Sequence, residues 1–150
     1  MVIDEDGNEV EYQRGLVWTL EQKQLLIESI YNNIEIGKFV LRKRPIGWVE
    51  KRAKEGKIEH TAFFDLVDGK QRFTTLVSFF KNEFPDMSEN YFSDLSEQAQ
   101  RRFMSYRQMT YIELDENSSD KDVLSVFLAI NFTGVPMSKE HIEYVKSIKI

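Results

Sequence analysis

The sequence predicts a mixed α/β domain of the α+β kind, a small sheet packed with several helices. Three observations carry that expectation. Segments with apolar residues at helical spacing are opened by capping signatures. Short apolar runs of strand length lie between them, and Pro45, Pro85 and Pro136 fall only where one element gives way to another. The chain has 150 residues with 41% apolar content, the size of one domain, and it can bury about two-thirds of its unfolded surface. Eleven Phe, six Tyr and two Trp make the expected core an aromatic one.

Taken in order, residues 1–11 are acidic and turn-rich, and residues 1–10 read as an extended or frayed lead-in. Thr19-Leu20-Glu21-Gln22 has the spacing of a capping box, with Leu26, Ile27, Ile30 and Ile34 at helical intervals behind it and Gly37 as the stop. Phe39-Val40-Leu41 reads as a strand ended by a basic run and Pro45, and residues 60–67 as a second strand. Residues 71–81 place Phe73, Leu76, Val77 and Phe80 on one helical stripe. After a loop with Pro85, Asp94-Leu95-Ser96-Glu97 opens a capped helix to about Tyr106. Residues 109–114 form a third strand with Tyr111 and Ile112 facing inward. Ser119 or Asp120 caps a helix to about Ile130, with Val123, Val126, Phe127 and Ile130 as its apolar face. Beyond a turn at Thr133-Gly134-Val135-Pro136, Ser138 starts a last helix through Ile142 and Val145. It reaches residue 150 without a stop signal, so the chain is expected to be part of something longer.

Composition narrows the chemistry. With no cysteine, disulfides, thiolate zinc sites and cysteine nucleophiles are excluded, which suits a reducing cytoplasm. No stretch of 18 apolar residues and no basic n-region occur, so neither a membrane span nor a secretory signal is expected. His60 and His141 have no metal-ligand spacing; they read as a strand residue and a first-turn helix residue. No P-loop, Gly-x-Gly-x-x-Gly or Gly-x-Ser-x-Gly elbow is present, nor the paired histidines of an HNH nuclease. Net charge is −5, yet residues 42–57 hold seven bases against two acids, a local +5. Lys51, Arg52 and Lys54 in this strip are candidates for meeting a nucleic-acid backbone, and from charge alone a solvated helix or loop face accounts for them better.

Three stretches carry candidate chemistry. In "FFDLVDGKQRFTTL" (63–76) an apolar strand breaks at Asp68-Gly69 and hands over to a helix. Helix-start N–H groups and the helix dipole attract an anion, and Gly69 permits close backbone approach. Lys70 adds a point charge, Arg72 a planar fork, and Thr74 and Thr75 hydroxyls. Asp68 would stay ionised and hold Mg²⁺ through water or orient a nucleophile. A capped turn with two surface bases explains the same residues. In "EYQRGLVW" (11–18), Gln13 and Arg14 sit between aromatic and apolar neighbours, and Arg14 suits either a second phosphate contact or a pair with Glu11. In "AINFTGVPMS" (129–138), Asn131 and Gly134 are placed where a helix ends, and a left-handed C-cap explains them without any ligand.

In this order the three stretches resemble the DGQQR-motif domain, the ParB/sulfiredoxin-like N-terminal domain of GmrSD-type modification-dependent restriction proteins. The resemblance runs from about Glu11 to Val145, and Lys70 departs from it where the family usually has Gln. It implies a fold that holds an NTP with Mg²⁺ and in several relatives hydrolyses it. By the same resemblance Asp68, Gly69, Gln71 and Arg72 form the phosphate and catalytic loop. Gln13 and Arg14 form a second wall, and Asn131 with Gly134 a further side. It implies NTP turnover that gates a nuclease partner or domain acting on foreign or modified DNA, with the HNH nuclease half outside these residues. The sulfiredoxin thiol has no counterpart here. A non-catalytic DNA- or protein-binding adaptor using the same pocket or the 42–57 strip is the alternative.

Overall fold

The computed structural model describes residues 1–59, 61–106, 108–131 (the last by its backbone alone) and 138–150. In chain order the elements are β1 (Val2–Ile3), β2 (Glu9–Val10), α1 (Leu20–Tyr31), β3 (Phe39–Lys43), α2 (Ile46–Lys54), β4 (Phe64–Asp68), α3 (Lys70–Phe80), α4 (Glu97–Met104), β5 (Tyr111–Leu114), α5 (Asp120–Asn131) and α6 (Lys139–Ser147). A 3₁₀ turn, Phe92–Asp94, precedes α4. This is the mixed architecture that the periodicities predict, with six helices, a β1-β2 pair and a sheet of order β4-β3-β5 among the described residues. The chain divides into two compact units. Met1–Gly15, Leu41–Asp68 and Glu113–Ile150 form the first, and Leu16–Val40 with Gly69–Ile112 form the second.

The first unit opens on a hairpin rather than a frayed lead-in. Strands β1 and β2 are antiparallel, with Val2 opposite Val10, and the Val2 side chain is fully buried. Asp4 closes the turn by accepting from the Asp6 and Asn8 N–H groups, while Gly7 takes φ +80°. Three of the acids that suggest an unstructured segment, Asp4, Glu5 and Asp6, lie between the two strands, where short polar side chains stabilise a turn. Helix α5 packs on β4 and α6 on α5. Val49, Val67, Val123, Leu124, Phe127 and Val145 are buried with Tyr12, whose ring meets Phe127 edge-on at 4.9 Å.

A cation is built into this core. Strand β3 extends into the basic run as far as Lys43, and the Arg42 side chain is only 2% exposed. Its Nε and Nη2 donate to Asp65 Oδ2 at 3.2 and 2.9 Å, and Nη1 donates to Asp120 Oδ1. Asp120 Oδ2 also accepts from the Ile3 N–H at 2.7 Å. Ser119, not Asp120, caps α5: its Oγ accepts from the Asp122 N–H while the Asp122 carboxylate accepts from the Ser119 N–H. That leaves Asp120 for Arg42, so one guanidinium ties β3, β4 and α5 together, and Asp120 adds β1.

The network has a pH signature. Burial alone would raise the Asp120 carboxyl, but hydrogen bonds from Arg42 and the Ile3 N–H outweigh it and hold it below its ordinary value of 3.8. A depressed folded-state pKa stabilises the protein above the unfolded value, and that contribution disappears as pH falls through the folded one. The stability gap between the wild type and Asp120→Asn is therefore expected to be widest above about pH 4 and to narrow below it. Urea melts of both proteins from pH 7 down to pH 3 check this.

In the second unit the capping box is formed as expected. The Gln22 N–H donates to Thr19 Oγ1 at 3.3 Å and the Thr19 N–H to Gln22 Oε1 at 2.9 Å, an arrangement worth about 1 kcal/mol. Leu26, Ile27 and Ile30 are buried. Helix α1 ends at Tyr31 rather than Gly37, because Asn32 caps it and Asn33 takes the left-handed φ of +54°. Ile34 is accordingly exposed. Helix α3 packs on α1 through Thr75, Leu76 and Phe79; its inward face is rotated from the predicted stripe, leaving Phe73 54% exposed. Phe79, Phe80, Phe84, Phe92 and Phe103 form an aromatic cluster with centroids 4.8–5.9 Å apart. Ser96 caps α4. Tyr111 and Ile112, on opposite faces of β5, are both exposed instead of facing inward.

Candidate functional site

At the Asp68-Gly69 turn the backbone leaves ordinary strand and helix geometry. Strand β4 ends at Asp68 and α3 begins at Lys70, with Gly69 between them as N-cap at φ +104°. L residues avoid this region by about 1–2 kcal/mol. There is no space for a side chain either: a Cβ at Gly69 would lie 2.9 Å from Phe39 Cε1 and overlap Cδ1. A glycine cap supplies no side-chain acceptor for the first-turn amides of α3. A strand therefore delivers a helix N-terminus directly at its carboxyl end, the place where α/β folds bind anions.

Three of the side chains predicted to serve this turn, Gln13, Gln71 and Arg72, make hydrogen bonds to backbone groups. In the second unit, Gln71 Oε1 accepts from the N–H groups of Val17 and Trp18 at 3.2 and 3.4 Å, which orients its amide. The Arg72 guanidinium donates to the carbonyls of Ile36 and Lys38, both at 2.9 Å, and lies over the Phe39 ring at 4.8 Å. Gly37, expected to stop α1, instead makes room for Arg72: at φ +84°, a Cβ there would stand 2.6 Å from Arg72 Nη1. Arg72 and Gly69 thus meet the same Phe39 ring, from opposite requirements of charge and size. Lys70 and Thr74 are half-buried, and Thr75 is buried.

In the first unit, Gln13 Nε2 donates to the carbonyls of Leu66 and Val67 at 2.8 and 2.9 Å, next to Asp68. Arg14 is half-buried beside it in sequence. His141 is a structural residue, its Nε2 2.9 Å from the Tyr12 carbonyl. The 42–57 strip is largely neutralised internally. Arg42 and Arg44 pair with Asp65, Arg52 pairs with Glu9, and Arg44 and Arg52 both lie on the Trp48 ring at 4.1 and 5.3 Å. Lys51 and Lys54 on α2 are exposed.

The model for the GmrSD restriction endonuclease N-terminal domain matches residues 5–144. The chain belongs to the GmrSD N-terminal domain family. Membership sets the protein in a restriction or defence context, with a nuclease partner or domain. Neither a curated protein nor a solved structure matches it. For this GmrSD-family chain, His60, Thr133, Gly134 and the Asn131 side chain lie outside the described residues. No group of three or more His, Asp or Glu residues that could hold a metal occurs among the described residues. No helix among the described residues is long and apolar enough to cross a membrane.

One feature escaped the sequence altogether. A half-open cleft of about 330 Å³ in the second unit is lined by Ile30, Asn33, Arg102, Ser105, Tyr106 and Gln108. The Tyr106 hydroxyl donates to the Ile34 carbonyl at its edge. Its polar lining comes from α4, the residues after it and Asn33 just beyond α1, segments without any shared motif.

Proposed function

We propose that this domain binds a nucleoside triphosphate at the turn from β4 into α3 and, with Mg²⁺, hydrolyses it to gate a nuclease partner acting on foreign or modified DNA. The observation that supports this most is Gly69: its left-handed backbone and its tight fit under Phe39 place a helix start at the end of a strand. Family membership supports the same reading. In this proposal the α3 amides and Lys70 receive the phosphates. Asp68 holds the ion through water or orients the attacking water, with help from the Gln71 amide. Arg72 contributes charge by exchanging carbonyl partners for phosphate oxygens, and Gln13, Arg14, Thr74, Asn131 and Gly134 enter on the motif pattern. Positioning and charge neutralisation supply most of the catalysis, as phosphoryl transfer requires.

A melting screen with ATP, GTP, CTP and UTP, each with Mg²⁺, tests the binding. At about 100 times Kd a ligand adds roughly 2.7 kcal/mol, a rise of about 5–10 °C for a domain of this size. One or more nucleotides are expected to produce it, and Asp68→Ala to reduce it. No rise with any of the four overturns the reading.

The exposure of Lys51 and Lys54 favours a second reading, a DNA-binding adaptor in which α2 meets the phosphate backbone. Arg52 contributes less to that surface because Glu9 and Trp48 hold it. DNA affinity that falls steeply with salt, and less steeply in Lys51→Ala/Lys54→Ala, would support this reading.

A further inference from the structure

Residues 11–14 precede the site in a segment with no helix or strand of its own, so its shape depends on what holds it. Helix α6 does so from one side. His141 Nε2 meets the Tyr12 carbonyl at 2.9 Å, and the Tyr144 hydroxyl donates to the Glu11 carbonyl at 3.0 Å. The two rings, one helical turn apart, have centroids 5.9 Å apart. Between these two anchored carbonyls and the next residue lies the buried Tyr12 ring, which packs on Phe127. On the other side Gln13 donates to the Leu66 and Val67 carbonyls, the last before Asp68. All of these residues belong to the first unit.

We propose that His141 and Tyr144 are positioning residues for the nucleotide site. They fix the 11–13 segment as a brace, and through Gln13 the brace sets the carboxyl end of β4 and with it the backbone of Asp68. The inference rests on the nucleotide reading above. Its chemical requirement is narrow. Position 141 must offer an N–H donor at the reach of Nε2 to a carbonyl oxygen, since that oxygen can only accept. Ser138 starts the helix by accepting from the His141 N–H at 3.2 Å, which aims the ring from the first turn of α6. The carbonyls of residues 11 and 12 are thus held by side chains more than 120 positions away in sequence.

The test uses the full chain and four probes, the Mg²⁺ complexes of ATP, GTP, CTP and UTP. Kd is measured for wild type, His141→Leu, His141→Gln and Tyr144→Phe, with nucleotide-free melting as the stability control. Backbone amide resonances of Gln13, Val67 and Asp68 are compared in the same proteins. His141→Leu and Tyr144→Phe are expected to weaken binding about five- to tenfold, the usual effect of losing one hydrogen bond. His141→Gln, whose amide can donate to the same carbonyl, is expected to return binding to within about twofold of wild type, as a conservative rescue. The Gln13, Val67 and Asp68 resonances should move in His141→Leu and stay near wild type in His141→Gln. If wild type binds a nucleotide and His141→Leu binds it equally well, this inference is wrong and the nucleotide reading stands. If His141→Gln is as weak as His141→Leu, the ring serves packing and the inference is again wrong. If wild type binds none of the four, the nucleotide reading fails and the inference fails with it.

Discussion

Gly69→Ala is expected to destabilise the protein by about 2–5 kcal/mol and to abolish the proposed nucleotide binding. Two costs combine. A non-glycine residue at φ +104° costs about 1–2 kcal/mol, and forcing a methyl against a packed ring adds about 1–3. The ring is Phe39, itself buried, so it has little room to retreat. The two costs can be separated. Gly69→Ala in a Phe39→Leu background should lose the steric part and keep the conformational part. Gly7→Ala provides a control, because φ there is +80° but a Cβ would meet nothing within 4 Å. That change should cost only about 1–2 kcal/mol. Equilibrium urea denaturation of these variants gives the comparison, and equal effects at Gly69 and Gly7 would show that Phe39 does not matter.

Replacing Arg42 by Met is expected to have an effect of the same order for a different reason. Removing one partner of a buried ionic cluster leaves the other charge uncompensated, at about 3–5 kcal/mol. Here two carboxylates, Asp65 and Asp120, lose their shared donor. For a domain of this size the melting point should fall by roughly 6–20 °C. If the loss comes from uncompensated charge, adding Asp65→Asn and Asp120→Asn to Arg42→Met should recover part of it, because neutral groups need less solvation. If the loss comes from packing, the additional changes should recover nothing. Arg44 complicates the outcome in a measurable way, since it also pairs with Asp65 at 2.6 Å, and Asp65→Asn leaves it at most a hydrogen bond to a neutral amide oxygen.

The contrast between these two sites shows what the sequence revealed and what it concealed. The Asp68-Gly69 turn could be read because its signals are adjacent: an apolar run, a glycine and a basic helix start within ten residues. The Thr19 capping box could be read for the same reason, as both partners lie within one turn. Arg42 could not. Its carboxylates are 23 and 78 residues away, so a buried cation looked like the first member of a solvated basic strip. Gly37 was misread for a related reason. Its role is to admit Arg72 from 35 positions later, while the stop of α1 fell to Asn32 and Asn33, whose side chains and backbone make a weaker signal than glycine. The stripe on α3 was rotated because Phe73 counted as core by composition although the helix turns Thr75 inward. Of the site, the turn itself was legible; that Gln13, Gln71 and Arg72 would each grip backbone carbonyls or amides was not.

The most direct test of the nucleotide reading follows the backbone amide resonances of the full chain during titration with the Mg²⁺ complexes of the four nucleotides. Saturable shifts are expected, largest at Gly69, Lys70 and Gln71, where the α3 amides would meet phosphate oxygens. Shifts confined to α2 around Lys51 and Lys54, or none at all with any nucleotide, would contradict it.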